Sequence, residues 1–196
     1  MIEDSVDAFV TRWRGHAAEV ELFPRHEGSP LFECRAGTAV LQLFERTGPY
    51  LWRPGAGRVI IHPVTDRLEV VSCEAAPASA DAGPVPLEAV EVPKEGQPAP
   101  EPGAEGAAPR SPEKVVATID VEGVSRLRVC GRVVERDGQV LVVHAGVPLV
   151  VGVQGAVPDR AVPGAWVRFD NVAPVHGFVL DDVRRRLVAE RPDDAI

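Results

Sequence analysis

LFECRAGTAVLQLF, residues 31 to 44, and VLVVHAGVPLVVGV, residues 140 to 153, read as copies of one another. Superposing Ala36-Gly37 on Ala145-Gly146 sets a single offset of 109 positions. The same offset carries Pro49 onto Pro158, Pro54 onto Pro163, Gly55 onto Gly164 and Ala56 onto Ala165. Apolar alternation, a tight turn and a Pro-Gly-Ala corner fall into line under one shift, as a duplicated supersecondary unit requires. On both sides of its Ala-Gly pair each copy alternates with the period of a strand, so each is read as a β-hairpin.

Outward from the second hairpin, RLRVCGRVVER (residues 126 to 136) turns Leu127 and Val129 inward and Arg126 and Arg128 outward. Gly131 inside that pattern predicts a bulge or bend, and Asp137-Gly138 predicts a tight turn into the hairpin. WVRFDNV supplies a fourth strand and VHGFVL (residues 175 to 180) a fifth. DDVRRRLVAERP has acids first and Arg later, the polarity a helix dipole favours, and is read as a short closing helix. The front copy is expected to repeat this order: AFVTRWRG, with Gly15 in the place of Gly131, then AAEVELF, the hairpin, GRVIIHP and RLEVVSC. A Ser5-capped helix through Trp13 also fits the first of these, because Val6, Phe9, Val10 and Trp13 keep helical spacing. The strand reading is taken here.

Between the copies, residues 76 to 112 read APASADAGPVPLEAVEVPKEGQPAPEPGAEGAAPRSP, without an aromatic residue and with recurrent proline. Such a composition does not bury enough apolar surface to offset its ordering entropy. The organisation expected is all-β: a first small barrel over 5–75, a disordered linker over 76–114, and a second barrel with a C-terminal helix over 115–191. Modules of roughly 70 residues are near the lower end of what folds alone, so packing of one on the other, or on a partner, is expected.

The formal charge is −8, but it is unevenly spread. The modules are close to −1 and +1, the linker is −4 and the tails contribute −4. The acidity therefore argues for solubility rather than for an acidic binding face. Both lysines, Lys94 and Lys114, lie in the linker, so every basic residue of the modules is arginine. Three cysteines without CxxC spacing, Cys34, Cys73 and Cys130, are read as reduced thiols. No signal peptide and no span of roughly 18 apolar residues is found, so a cytoplasmic protein without a membrane partner is expected.

With five strands, a glycine in the first, a central hairpin and a Pro-Gly corner before the fourth, the second module resembles an OB-fold. The residues that carry the resemblance are RVCGRVVE, GQVLVVHAGVPLVVGV and PGAWVRFDNV, and the first module matches more loosely. The resemblance implies two tandem five-stranded barrels and ligand binding on the face of strands two and three and the loops beside it.

No phosphate loop, metal-ligand spacing or nucleophile motif occurs, so no catalytic residue, metal or cofactor is assigned. Single-strand binding needs basic groups along a backbone and rings for stacking. The basic candidates are Arg12 and Arg14 in the front copy, Arg126 and Arg128 in the back copy, and Arg35 and His144 at matched hairpin positions. Tyr50 and Trp52 are the candidate stacking pair. The expectation is a non-catalytic binding protein with single-stranded DNA or RNA as leading partner; the other reading is a protein-interaction subunit of a larger complex. The two separate on whether the arginines share an open surface or pair with carboxylates.

Overall fold

The computed structural model describes residues 5–26, 28–48, 53–71, 115–123 and 125–180. The expected linker, the expected closing helix, and Tyr50 and Trp52 lie outside them. Among the described residues one helix, α1 (Val6–Trp13), is followed by a 3-10 turn (Arg14–His16) and eleven strands. The front strands are β1 (Ala18–Leu22), β2 (Leu31–Ala36), β3 (Ala39–Glu45), β4 (Gly55–Thr65) and β5 (Glu69–Val71). The back strands are β6 (Thr118–Val121), β7 (Leu127–Asp137), β8 (Val140–His144), β9 (Pro148–Val153), β10 (Trp166–Asp170) and β11 (Val172–Val179).

Both Ala-Gly hairpins form. β2 and β3 pair antiparallel from Leu31 opposite Phe44 to Ala36 opposite Ala39. β8 and β9 pair from Val140 opposite Gly152 to His144 opposite Pro148. Gly37 (φ 59°) and Gly138 (φ 58°) take the left-handed conformation that opens a two-residue hairpin loop. β7 runs through Gly131 without interruption, and the register shift falls instead between Val133 and Glu135. Gly131 serves a close approach: a Cβ there would lie 2.6 Å from Val143 Cγ1 and 2.8 Å from the His144 carbonyl oxygen.

The sheet is continuous through both halves, and part of it closes on itself. β1 pairs with β2, β2 with β3, β3 with β11, β11 with β4, and β4 with β1, so five strands form a closed barrel. Every contact in that ring is antiparallel except β3 with β11, which is parallel at Phe44–His176 and Glu45–Gly177. The strand expected to finish the back module thus lies between two strands of the front half. In return, the end of β4 runs parallel to β9 at Val64–Gly152 and Thr65–Val153, and β5 pairs antiparallel with β10. A hydrophobic pattern tells a strand which face to bury but not which edge to join, which is why the sequence places β11 correctly as a strand and not beside its neighbours.

Alternation sends Phe32 and Cys34 of β2, Leu41 and Leu43 of β3, and Val59 and Ile61 of β4 into one core with Val129, Val143, Val151 and Val179. The opposite faces of β4, β8, β9 and β11 carry Ile60, Val142, Val150 and Phe178, which form a second layer beneath Phe9 and Trp13 of α1. The stretch read as a first strand is therefore this helix, and β1 takes the first-strand position. The helix wins because Ser5 caps it, its hydroxyl oxygen accepting from the Ala8 N–H, while the helical stripe through Phe9 and Trp13 meets an apolar sheet face. The Trp13 indole N–H has no acceptor among the described residues, so its anchoring rests on ring surface.

The seat of β11 gives a direct test. A Cβ at Gly177 would lie 2.6 Å from Phe32 Cζ and 3.0 Å from Leu43 Cβ. Gly177→Val should cost roughly 2–3 kcal/mol in denaturant unfolding by overpacking, and adding Phe32→Leu should recover part of it. An unchanged midpoint for Gly177→Val would show that β11 does not cover Phe32.

Candidate functional site

The arginines singled out by the sequence do not converge. Arg12 lies on α1, ion-pairs with Asp137 and stacks 5.2 Å over the Trp13 ring. Arg14 opens the 3-10 turn, and its carbonyl accepts from Arg58 Nη2 at 3.1 Å. Arg35, on the outer face of β2, donates to Glu21 at 3.0 Å across the sheet and lies 5.5 Å over Phe23. Arg128, on β7, holds Asp170 and Glu122, each at 3.0 Å. The hydrogen bond to Asp170 and the two nearby carboxylates raise its pKa further above the arginine range. Arg126 is exposed just before β7, and exposed His144 ends β8 opposite Arg132. Arg12 and Arg128 thus sit at opposite ends of β7, each beside a carboxylate.

The sheet surfaces differ between the two hairpins. In the back hairpin the outward pair Val142–Val150 is buried under α1. In the front hairpin an outward register pair is Glu33–Gln42, and its neighbours Leu31 and Val40 are 38% and 46% exposed. A groove of about 220 Å³ between β5, β7 and β10 is lined by Arg67, Arg128 and Arg168 together with Asp66, Glu69 and Asp170, so its formal charges balance.

A histidine pair that the sequence did not single out lies inside the sheet. His62 of β4 and His176 of β11 are register partners with ring centroids 6.1 Å apart. His62 Nδ1 donates to the Val150 carbonyl at 2.6 Å, and its ring packs 4.8 Å from Phe9. Burial lowers its pKa to about 4, against the raising effect of the Val150 bond and with a small push from His176. Burial, then Arg46, lowers His176 as well. The only legible sign was a histidine at an outward strand position, which does not reveal the facing partner.

Cys34 and Cys130 are free and buried, and burial pushes the Cys34 thiol up to about 12. That thiol is not an activated nucleophile. Among the described residues no helix is long and apolar enough to cross a membrane, and no group of three or more His, Cys, Asp or Glu could hold a metal ion. Fold and surfaces define a mostly β protein built around a closed five-stranded barrel. Comparison with protein-family models, curated proteins and solved structures gave no match to this chain.

His62 links pH to stability with a definite sign. Unfolded, it titrates near 6.5; folded, it stays neutral down to about 4. Its contribution is therefore complete above pH 6.5 and is lost as the pH falls toward 4, about 2 kcal/mol of it by pH 5. Urea unfolding at pH 8 and pH 5 should show this loss, and His62→Gln should remove most of it. An equal acid sensitivity in the variant would assign the effect elsewhere.

Proposed function

We propose that the chain is a non-catalytic binding protein of OB type, built from tandem copies, whose partner is another protein. The OB reading draws support from the closed ring, in which the only parallel contact joins the third strand to the closing one. That arrangement is compatible with an OB-like barrel. The tandem reading draws support from the repeated hairpins and from the matched way in which β4 meets β9 and β11 meets β3.

The observation that carries the choice of partner is the commitment of arginine to carboxylate. Arg12 to Asp137, Arg35 to Glu21 and Arg128 to Glu122 and Asp170 leave these cations paired, where phosphate binding calls for basic groups that release counterions to a polyanion. Exposed pairs of this kind cost little to break, and it is the local balance of charge rather than their strength that disfavours a polyanion. The front β2–β3 face is the surface proposed for docking: apolar Leu31 and Val40 beside Glu33 and the paired Arg35 suit a protein surface with apolar side chains near a basic group.

Two measurements test this reading. Titration of labelled single-stranded DNA and RNA at low salt should give no saturable binding; saturable, salt-sensitive binding would replace it with the nucleic-acid reading. Affinity capture from the native cell should retain a protein partner on the parent chain and lose it, by tenfold or more, with Val40→Asp. Retention undiminished by Val40→Asp together with Leu31→Asp would remove the β2–β3 face from the proposal.

A further inference from the structure

The sheet contains two slots, each filled by chain from the other half of the sequence. The first lies between β3 and β4 and holds β11, from His176 opposite Phe44 and His62 to Val179 opposite Val59. The second lies between β9 and β10 and holds residues 64–71, first parallel to β9 and then, as β5, antiparallel to β10 at Trp166–Val71, Val167–Val70 and Arg168–Glu69. The two crossing stretches pass each other antiparallel, with Val64 opposite Val172. Shifted by the repeat offset, Val64 falls on Ala173, one position from that partner. The crossing lies close to a local two-fold relation between the copies.

Side chains fasten the crossing on both sides. The Thr65 hydroxyl, fully buried, donates to the Asp170 carbonyl at 2.8 Å, joining the end of β4 to the end of β10. Asn171, between β10 and β11, accepts from the Leu127 N–H at 2.6 Å and donates to the Ser125 carbonyl at 2.9 Å. The backbone adds Gln154 N–H to the Thr65 carbonyl at 2.8 Å and Arg46 N–H to the Gly177 carbonyl at 3.0 Å. Where each stretch could have folded back on its own half, it runs on into the other. An antiparallel fourth and fifth strand joined by a hairpin would close a barrel within one copy; opening that hairpin in both copies yields the observed crossing, as in exchange of an identical element between protomers.

We infer that the protein is a strand-exchanged pair of half-chains, in which the β3–β4 slot is a binding site for the closing strand of the other half and the β9–β10 slot is its reciprocal. The covalent connection between residues 71 and 115 is then unnecessary for the assembled state. Each half alone has two unpaired sheet edges and an uncovered apolar interior, Phe32 and Leu43 in front, Val151 and Val167 behind. The partner that each slot recognises is the other half of this same sequence.

The test uses the full chain with a specific protease site introduced between residues 76 and 114. After cleavage the two fragments should elute together at the mass of the uncut protein and unfold in one transition with a midpoint close to that of the uncut chain. Elution as separate folded species would overturn the inference. Strand identity is read by pairing Glu69→Cys with Arg168→Cys, exposed register partners from opposite halves. After oxidation and cleavage this variant should run as one band on a non-reducing gel, while the cleaved parent runs as two. The same result is expected for His62→Cys with His176→Cys, which reports on the other slot. Absence of the linked band in variants whose circular dichroism matches the parent would show that the closing strands return to their own halves. If one pair prevents folding, the other decides.

Discussion

The contact on which the molecule depends is the insertion of β11 between β3 and β4. The four front strands are already hydrogen-bonded in the order β3, β2, β1, β4, so β3 and β4 would otherwise present bare edges and an open interior. β11 satisfies both edges at once and contributes to both packing layers. Val175 and Val179 enter the barrel core, and Phe178 enters the layer beneath α1. Gly177 is the point of closest approach, where the missing side chain lets the Phe32 ring lie against the strand. Because β11 follows β3 by most of the chain, the closure cannot form early, and its loop entropy must be met before the core rewards it.

Local chemistry was legible where a few adjacent residues decide the outcome. Ala36-Gly37, Asp137-Gly138 and Ala145-Gly146 each turn the chain where their glycines allow, and the strands on either side alternate as read. Val6 to Trp13 was ambiguous for a physical reason: its apolar residues satisfy both periods, and only the sheet face that it covers decides for helix. β6 went unread because its burial is slight, so its residues carry no clear alternation. The course of β11 was illegible in principle, since edge choice is settled by geometry between distant segments.

The candidate site shows the same division between what spacing conveys and what pairing decides. Alternation correctly placed Arg128 on an outward face, yet an outward arginine is equally suited to phosphate and to a neighbouring carboxylate. Near-equal numbers of arginine and acid in each half were the available hint, and the cross-strand positions of Glu21 and Asp170 complete the pairs. The pairing of His62 with His176 had no sequence signal, because their strands meet only through the closure of the barrel.

The two hairpins differ in what they turn outward, and the difference decides where α1 lies. The offset of 109 sets Val142 on Glu33 but Val150 on Leu41, because the back hairpin turns through one residue more; the outward register pairs are Val142–Val150 in the back hairpin and Glu33–Gln42 in the front one. Two valines facing outward need a cover, and α1 supplies it with Phe9 and Trp13. Glu33, exposed at the front, does not, and under the same helix it would lose hydration without a partner. The helix therefore occupies one hairpin face; on the other Leu31 and Val40 are exposed, while Gln42 is half-buried and its carbonyl accepts from the Ser125 hydroxyl. The two hairpins thus differ in the side chains that they turn outward, and that difference decides which of them the helix covers.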